Sequence, residues 1–387
     1  MSLPRLSPAR FWTLLAMLLV FVLTASLRFK RIDESLTLDI KHFIEIAEML
    51  FTSRNFDYYA AVNGHEFTYA HLPLFPYLLA PVLAVFRAVG LEDLYAIKVI
   101  AYAADFGAAL CLYLLVRRHG LARPAALAVM TMWLFSPRVI EASIGQAHVV
   151  SLAVMFMFLA LLREKSGWQA GLFWALAIAT RTEFVFPAAA AALFYARYRR
   201  DQLPAFVLGG AGVFGVIVLP FMIRDFDALR WAIYGHLHER GDGLPLFRAF
   251  FRVLGQPFPE FLAGPNDWFI RLAVPVAVVL TLFDRDYHRA LLKVAAVFVL
   301  SLMVVHSRYL LMPFALAAVF ATRPGLIWYF FAWYAIDAPN LLDKEIQHLF
   351  WLLIALALYF ADPIRRFVER HLPSSADLTS PGNPVAP

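Results

Sequence analysis

The chain has 387 residues, of which 61% are hydrophobic and 16% are charged. A soluble domain would carry about 25% charged residues, so the composition excludes an ordinary soluble enzyme. The net charge of +6 comes from short basic clusters between apolar stretches, a pattern typical of membrane-protein loops that needs no nucleic-acid partner. Apolar stretches long enough to cross about 30 Å of hydrocarbon recur, and strand-like alternation is absent. We therefore predict an all-α polytopic membrane protein.

The apolar segments predict 11 to 13 transmembrane helices in a single domain, residues 1–371. The first segment, 11–27, has the position of a signal peptide. Because Arg28, Lys30 and Arg31 follow it without a small-residue cleavage site, we expect it to be retained. The Pro-containing segment 73–90 is expected to be re-entrant or interfacial rather than a full crossing. The other predicted spans are 95–116, 124–140, 146–162, 169–181, 184–197, 203–222, 269–283, 290–305, 309–321, 325–336 and 347–361.

Two long connections, 28–72 and 223–268, separate these spans, and the Pro- and Ser-rich segment 372–387 is predicted to be a disordered tail. Internal basic clusters favour the cytoplasm. That orientation makes both long connections extracytoplasmic and brings the polar ends of the spans to the same side. Strict alternation of the spans would instead place one cluster outside, so the number of spans stays open. The internal clusters are RRHG (117–120), REK (163–165), RYRR (197–200) and DRDYHR (284–289).

The first long connection contains a second periodic pattern. From about residue 37 to 51, Phe43, Ile46, Ala47 and Leu50 recur on one helical face, which predicts an amphipathic helix lying on the membrane surface. Asp39 stands at the start of this helix. It is either an N-cap that binds the amides of the first turn or a general base held at headgroup depth. The residues alone leave both roles open.

Charged side chains at membrane depth cost about 2.5–3.5 kcal/mol each on the insertion scale, so each needs a physical reason. Asp105 lies in the middle of a predicted span and is either bonded to a neighbouring helix or part of a binding site. Arg181 and Glu183 interrupt an apolar hairpin. They form either a local ion pair or an anion-binding site.

Two further pairs begin predicted spans. His306 and Arg308 either lie at the membrane interface, where such side chains snorkel, or bind a phosphate, for which the guanidinium offers a bidentate fork. Gln146 and His148 either cap their helix or bind a ligand.

Metal chemistry has little support in the sequence. Cys111 is the single cysteine, which excludes an internal disulfide and a cysteine-based metal cluster. The pair His236 and His238 lacks further ligands at a spacing typical of zinc. We expect no metal site.

The order of the polar motifs resembles the GT-C superfamily of membrane glycosyltransferases. The similar groups are the bacterial polyprenyl-phosphate-sugar mannosyltransferases and the first mannosyltransferase of GPI-anchor assembly. Departures from the family pattern are Ser136 before Pro137 where Asn is usual, Arg181 with Thr182 where Lys-Pro is common, and His148 where an acid often stands. The motifs, spread over about residues 36–315, are LTLD (36–39), FTYAHLP (67–73), SPRVIEASIGQ (136–146), RTEF (181–184) and HSRY (306–309).

The resemblance implies a GT-C-like bundle with amphipathic helices in the first large extracytoplasmic loop. It further implies transfer of a sugar, with a mannose-like hexose favoured, from a polyprenyl-phosphate donor to an extracytoplasmic glycan or glycolipid acceptor, with inversion. The site would face outward from the inner (plasma) membrane and need no cofactor besides the lipid-linked donor. Asp39 would be the catalytic base. The substrate-binding residues would be Tyr69, His71, Asp105, Gln146, His148, Arg181, His306 and Arg308.

Two other functions remain open. A transporter or a flippase for lipid-linked sugars would also carry charges in the bilayer, but such proteins commonly show internal repeats with paired broken helices, and no such repeat is visible here. A non-catalytic subunit of an envelope glycan assembly system would keep the fold without using Asp39 as a base.

Overall fold

The computed structural model describes residues 7–32, 38–52, 72–145, 149–224, 226–235, 251–257, 259, 267–301, 307–320, 356 and 360. This part of the chain is 87% helical and contains no strand, which confirms the predicted all-helical class. Two of its helices are long and apolar enough to span a membrane, or three if the pair Arg123–Phe135 and Pro137–Ser143, bent by 46°, is one span. These helices indicate a membrane protein, and the total of 11 to 13 spans stays a prediction.

Each predicted span up to residue 321 corresponds to one described helix or to a broken pair. The spans predicted at 325–336 and 347–361 lie outside the described residues. The described helices are α1 (Pro8–Phe29), α2 (Leu38–Thr52), α3 (Leu74–Ala88), α4 (Asp93–Arg118), α5 (Arg123–Phe135), α6 (Val150–Leu162), α7 (Gly167–Thr180), α8 (Val185–Tyr198), α9 (Leu203–Ile217), α10 (Leu219–Arg224), α11 (Phe226–Gly235), α12 (Asp267–Leu280), α13 (Tyr287–Ser301) and α14 (Ser307–Phe320).

Proline accounts for a break that the apolar pattern does not show. The predicted span 124–140 ends as α5 at Phe135, and one turn, Pro137–Ile140, then leads into a π-helical segment, Glu141–Gly145. Pro137 lacks the N–H that would continue the α5 ladder. The break shortens the regular helix and leaves a bent polar segment at its end.

The basic clusters meet at one end of the bundle, which we call the basic end (residues 117–120, 163–165, 197–200 and 284–289). Glu164 lies at its centre, with Arg118 at 3.7 Å, Arg199 at 3.9 Å and His288 at 3.8 Å from its carboxylate. The rings of His119 and His288 are 4.6 Å apart. The four clusters therefore share one side of the molecule, as the predicted orientation requires.

The core is centred on α6, which packs against α4, α7 and α14. Because this helix is apolar on all sides, it buries Val154, Met157 and Phe158 completely. Trp133 of α5 closes the core by stacking on Phe314 of α14, with 5.6 Å between ring centroids. A helix that is apolar all round is typical of the interior of a bundle.

Helix α1 lies at the edge of this bundle. Large apolar side chains such as Trp12 and Leu23 are exposed along most of its surface, as expected for a helix that faces hydrocarbon. The buried residues of α1 are Met17, Thr24 and Arg28. They are seven and four residues apart, which places them on one helical face. The contact between α1 and the bundle is therefore a narrow stripe that ends in an arginine.

Candidate functional site

Helix α2 confirms the predicted amphipathic helix and carries Asp39 as its second residue. Its apolar face is buried, with Phe43 against Phe75 of α3 at 5.0 Å between ring centroids. The cover over this face is α3, so the face packs on protein, and the location of α2 at the membrane surface stays a prediction. Asp39 lies within the helix rather than at the capping position before it, and its side chain lies outside the described part of the chain.

An ion-pair cluster ties α2 to the two helices that follow it. Arg87 at the end of α3 donates Nε and Nη2 to the two carboxylate oxygens of Asp93, at 2.7 and 2.5 Å, and also binds Glu48 of α2. Gly90, at φ +75°, makes the tight turn between α3 and α4. The start of α4 lies at the end of this helix opposite the basic end, so α2 is fixed on that side.

The position of α3 bears on whether segment 73–90 crosses the bundle. Leu74 and Phe75 at its start belong to the same buried cluster as Val149 and Ala179, which lie next to the ends of α6 and α7 away from the basic end. Its last turn is joined to the start of α4. Both ends of α3 therefore lie away from the basic end, and the re-entrant or interfacial course of segment 73–90 stays a prediction.

Asp105 is fully buried in α4 and forms an ion pair with Arg28 of α1. The guanidinium donates Nε and Nη2 to Asp105 Oδ2 at 3.1 and 3.0 Å. Of the two alternatives for Asp105, the bond to a neighbouring helix is the one observed. In the sequence, Arg28 is one of the charges that follow the first apolar segment. The signal that marks its face is Thr24, a polar residue four positions earlier in the same apolar helix.

Two serines complete the surroundings of Asp105. Ser143, in the π-helical segment, and Ser151, in α6, lie beside its carboxylate. The Ser143 hydroxyl donates to the Val139 carbonyl at 2.9 Å. Among the described residues, Asp105 Oδ1 and Ser151 Oγ are buried atoms without a hydrogen-bond partner. The arrangement is a small polar centre between α1, α4, α6 and the bent segment.

Arg181 and Glu183 form a second buried ion pair, at the junction between α7 and α8. Arg181 places Nε 2.8 Å and Nη2 2.7 Å from the same Glu183 oxygen. The local ion pair is therefore the alternative observed for these residues. Asp105 and Ser151 lie roughly 18 Å, and Arg181 roughly 24 Å, from the nearest residue of the basic end, at 1.5 Å per residue along their helices. We call the residues at this level the polar layer: Arg28, Asp105, Ser143, Ser151, Arg181 and Glu183.

The remaining predicted site residues can be placed only in part. Arg308 is the second residue of α14, and its side chain lies outside the described part. Because α13 starts at the basic end and α14 packs back along it, Arg308 begins its helix at the opposite end, where α14 also contacts the turn Pro137–Ile140. The residues that lie wholly outside the described ranges are Tyr69, His71, Gln146, His148, His306, His236 and His238.

The end opposite the basic end thus gathers α2 and the start of α14, and the polar layer lies between that end and the basic end. The groups of the polar layer are guanidiniums, carboxylates and hydroxyls, which suit hydrogen bonding to a polyol or to an anionic group. Comparison of the sequence with protein-family models and with curated proteins finds no match to this chain.

Proposed function

We propose that this protein is a membrane glycosyltransferase that moves a sugar, a mannose-like hexose, from a polyprenyl-phosphate donor to an extracytoplasmic acceptor. The observation that carries the proposal is the separation of the two ends of the bundle. One end holds the basic clusters, and the other gathers the segments whose motifs resemble GT-C enzymes. A lipid-linked donor and an acceptor would meet at that second end.

The reaction requires a general base and groups that stabilise the leaving phosphate. In the proposed step Asp39 takes the proton of the acceptor hydroxyl. The acceptor oxygen forms a bond to the anomeric carbon, the bond from that carbon to the phosphate oxygen breaks, and its electron pair leaves with the polyprenyl phosphate. A single displacement of this kind inverts the anomeric centre.

The departing phosphate needs cationic or hydrogen-bonding partners. Glu183 already binds the Nε of Arg181, so we assign the phosphate first to His306 and Arg308 and give Arg181 a supporting role. The polyprenyl chain would lie along the apolar surfaces between helices.

The direct test is sugar transfer by purified protein in lipid nanodiscs, with polyprenyl-phosphate mannose as donor and envelope glycolipids from cells lacking the protein as acceptor. Asp39→Asn keeps the size of the side chain, so the folded fraction should stay at the wild-type level. The transfer rate should fall by about 10²–10⁴, the usual contribution of a general base.

The control is Glu45→Gln, which removes an exposed carboxylate from the same helix and should leave the rate unchanged. Near-wild-type transfer by Asp39→Asn would show that Asp39 is not the base. Wild-type protein that carries the lipid-linked sugar across the bilayer without transferring it would establish the transporter alternative instead.

A further inference from the structure

The end of α1 is attached to α4 at a cluster that we call the α1 node: Arg28, Ile32, Lys98, Tyr102 and Asp105. Besides the ion pair, the Tyr102 hydroxyl donates to the Arg28 carbonyl at 3.4 Å, and Lys98 donates to the Ile32 carbonyl. Lys98, Tyr102 and Asp105 are spaced four and three residues apart, so they share one face of α4. One face of α4 therefore binds the Arg28 side chain, the Arg28 carbonyl and the carbonyl of Ile32, which follows α1.

The α1 node lies between two segments of the proposed site. Shortly after Ile32 the chain enters α2, which carries Asp39. Arg31 also approaches Glu141 of the π-helical segment, at 3.9 Å, and that segment leads directly to Gln146. A displacement of the α1 end would therefore be passed to the π-helical segment through Arg31 and Glu141.

The rest of α1 packs against α5 and α4 through small and apolar side chains. Below Arg28, the helix contacts the bundle through Met17 and Thr24, with Phe21 against Phe106 at 5.2 Å between ring centroids. These apolar contacts tolerate sliding, whereas two N–H groups directed at one carboxylate oxygen fix both position and direction. The ion pair is the most directional of the contacts described for this helix.

We propose that Arg28 is a positioning residue for the transfer reaction. Its bond to Asp105 holds the end of α1 so that α2 and the segment after Gly145 keep the spacing that the reaction requires. Arg28 acts through Asp105 and need not touch either substrate. This inference rests on the proposed function, since the spacing matters only if Asp39 and the segment at 146 serve one reaction.

The test replaces the ion pair by an apolar pair, Arg28→Met with Asp105→Leu. Exchanging a buried ion pair for apolar side chains of similar size commonly preserves stability, so the double variant should fold. Its kcat should fall about 10- to 100-fold, the scale expected for a small misplacement of reacting groups, while the KM for the donor stays unchanged. If the ion pair served stability alone, the folded double variant would have the wild-type kcat.

Two single variants serve as the conservative replacement and the control for this measurement. Arg28→Lys keeps a cation near Asp105 and should recover part of the lost kcat. Lys30→Met removes an exposed cation from the same chain segment and should leave kcat, KM and melting temperature at their wild-type values.

A second readout does not depend on activity. Spin labels at Lys30→Cys and Glu45→Cys, in a Cys111→Ala background, report the distance between the end of α1 and α2. We expect a narrow distance distribution with the native ion pair and a broad one in the apolar double variant. Either an unchanged distribution or a wild-type kcat in that variant overturns the proposal. Wild-type protein without transferase activity would remove the proposed function, and the distances would still show whether Arg28 positions α2.

Discussion

Gly171 of α7 and Phe206 of α9 are in direct backbone contact. A Cβ added to Gly171 would lie 1.9 Å from the Phe206 carbonyl oxygen, and one added to Gly209 would lie 2.1 Å from the Trp168 carbonyl oxygen. Membrane helices approach this closely where small residues let the backbones touch. The contact leaves no room for a side chain at either glycine.

Gly171→Ala should therefore push α7 and α9 apart and destabilise the fold by about 1–3 kcal/mol, as overpacking typically does. The matched control is Gly212→Ala in α9, where an added Cβ meets nothing within 4 Å and the gain in helix propensity should slightly stabilise the protein. Thermal unfolding in detergent compares the two. Equal melting temperatures would show that α7 and α9 do not touch at Gly171.

Breaking the ion pair of Asp105 from one side should be costly. Asp105→Leu leaves the buried guanidinium of Arg28 without its carboxylate, and the expected loss is about 3–5 kcal/mol. Ser151→Ala removes a hydroxyl that lies beside the Asp105 carboxylate but keeps the ion pair, so it should cost less, about 1 kcal/mol. If both variants unfold at the same temperature, the ion pair does not stabilise the packing of α1 against α4.

At the basic end, Arg199 should contribute more to stability than its neighbour Arg197. The Arg199 guanidinium carbon lies 5.5 Å from the ring centre of Tyr195 and 6.0 Å from that of Tyr287, and the side chain donates to the Glu164 carbonyl. Arg199→Ala should cost about 2 kcal/mol, as for a partly desolvated cation–π contact. Arg197 is exposed and its guanidinium carbon lies 5.6 Å from the Tyr198 ring centre, so Arg197→Ala should cost only about 0.5–1 kcal/mol. Equal losses in thermal unfolding would contradict this assignment.

The orientation of the bundle can be tested with two exposed positions in a Cys111→Ala background. Gln256→Cys lies in the second long connection and should react with a membrane-impermeant thiol reagent in intact cells. Lys165→Cys lies at the basic end and should react only after the cells are opened, because basic clusters are retained in the cytoplasm. The reverse labelling pattern would place the proposed site on the wrong side for a lipid-linked donor.

The local parts of this architecture can be predicted from sequence. Helix α2 falls within one residue of its predicted bounds, and Phe43, Ile46 and Ala47 form its buried face, because helical periodicity depends only on near neighbours. The apolar periodicity of α2 indicates that one of its faces is buried, but it does not identify the element that packs on that face. The cover over this face is α3, a packing partner that residue spacing in α2 cannot identify.

The sequence by itself determined the helical class, the approximate helix positions, the location of the basic clusters and the need of each buried charge for a partner. Only the tertiary structure decided which partner each charge has. Asp105 needed a cation because an unpaired carboxylate is costly in an apolar interior. That the cation is Arg28, 77 residues away, follows from how α1 lies against α4. Such long-range contacts depend on the packing of whole helices, which no short stretch of sequence specifies.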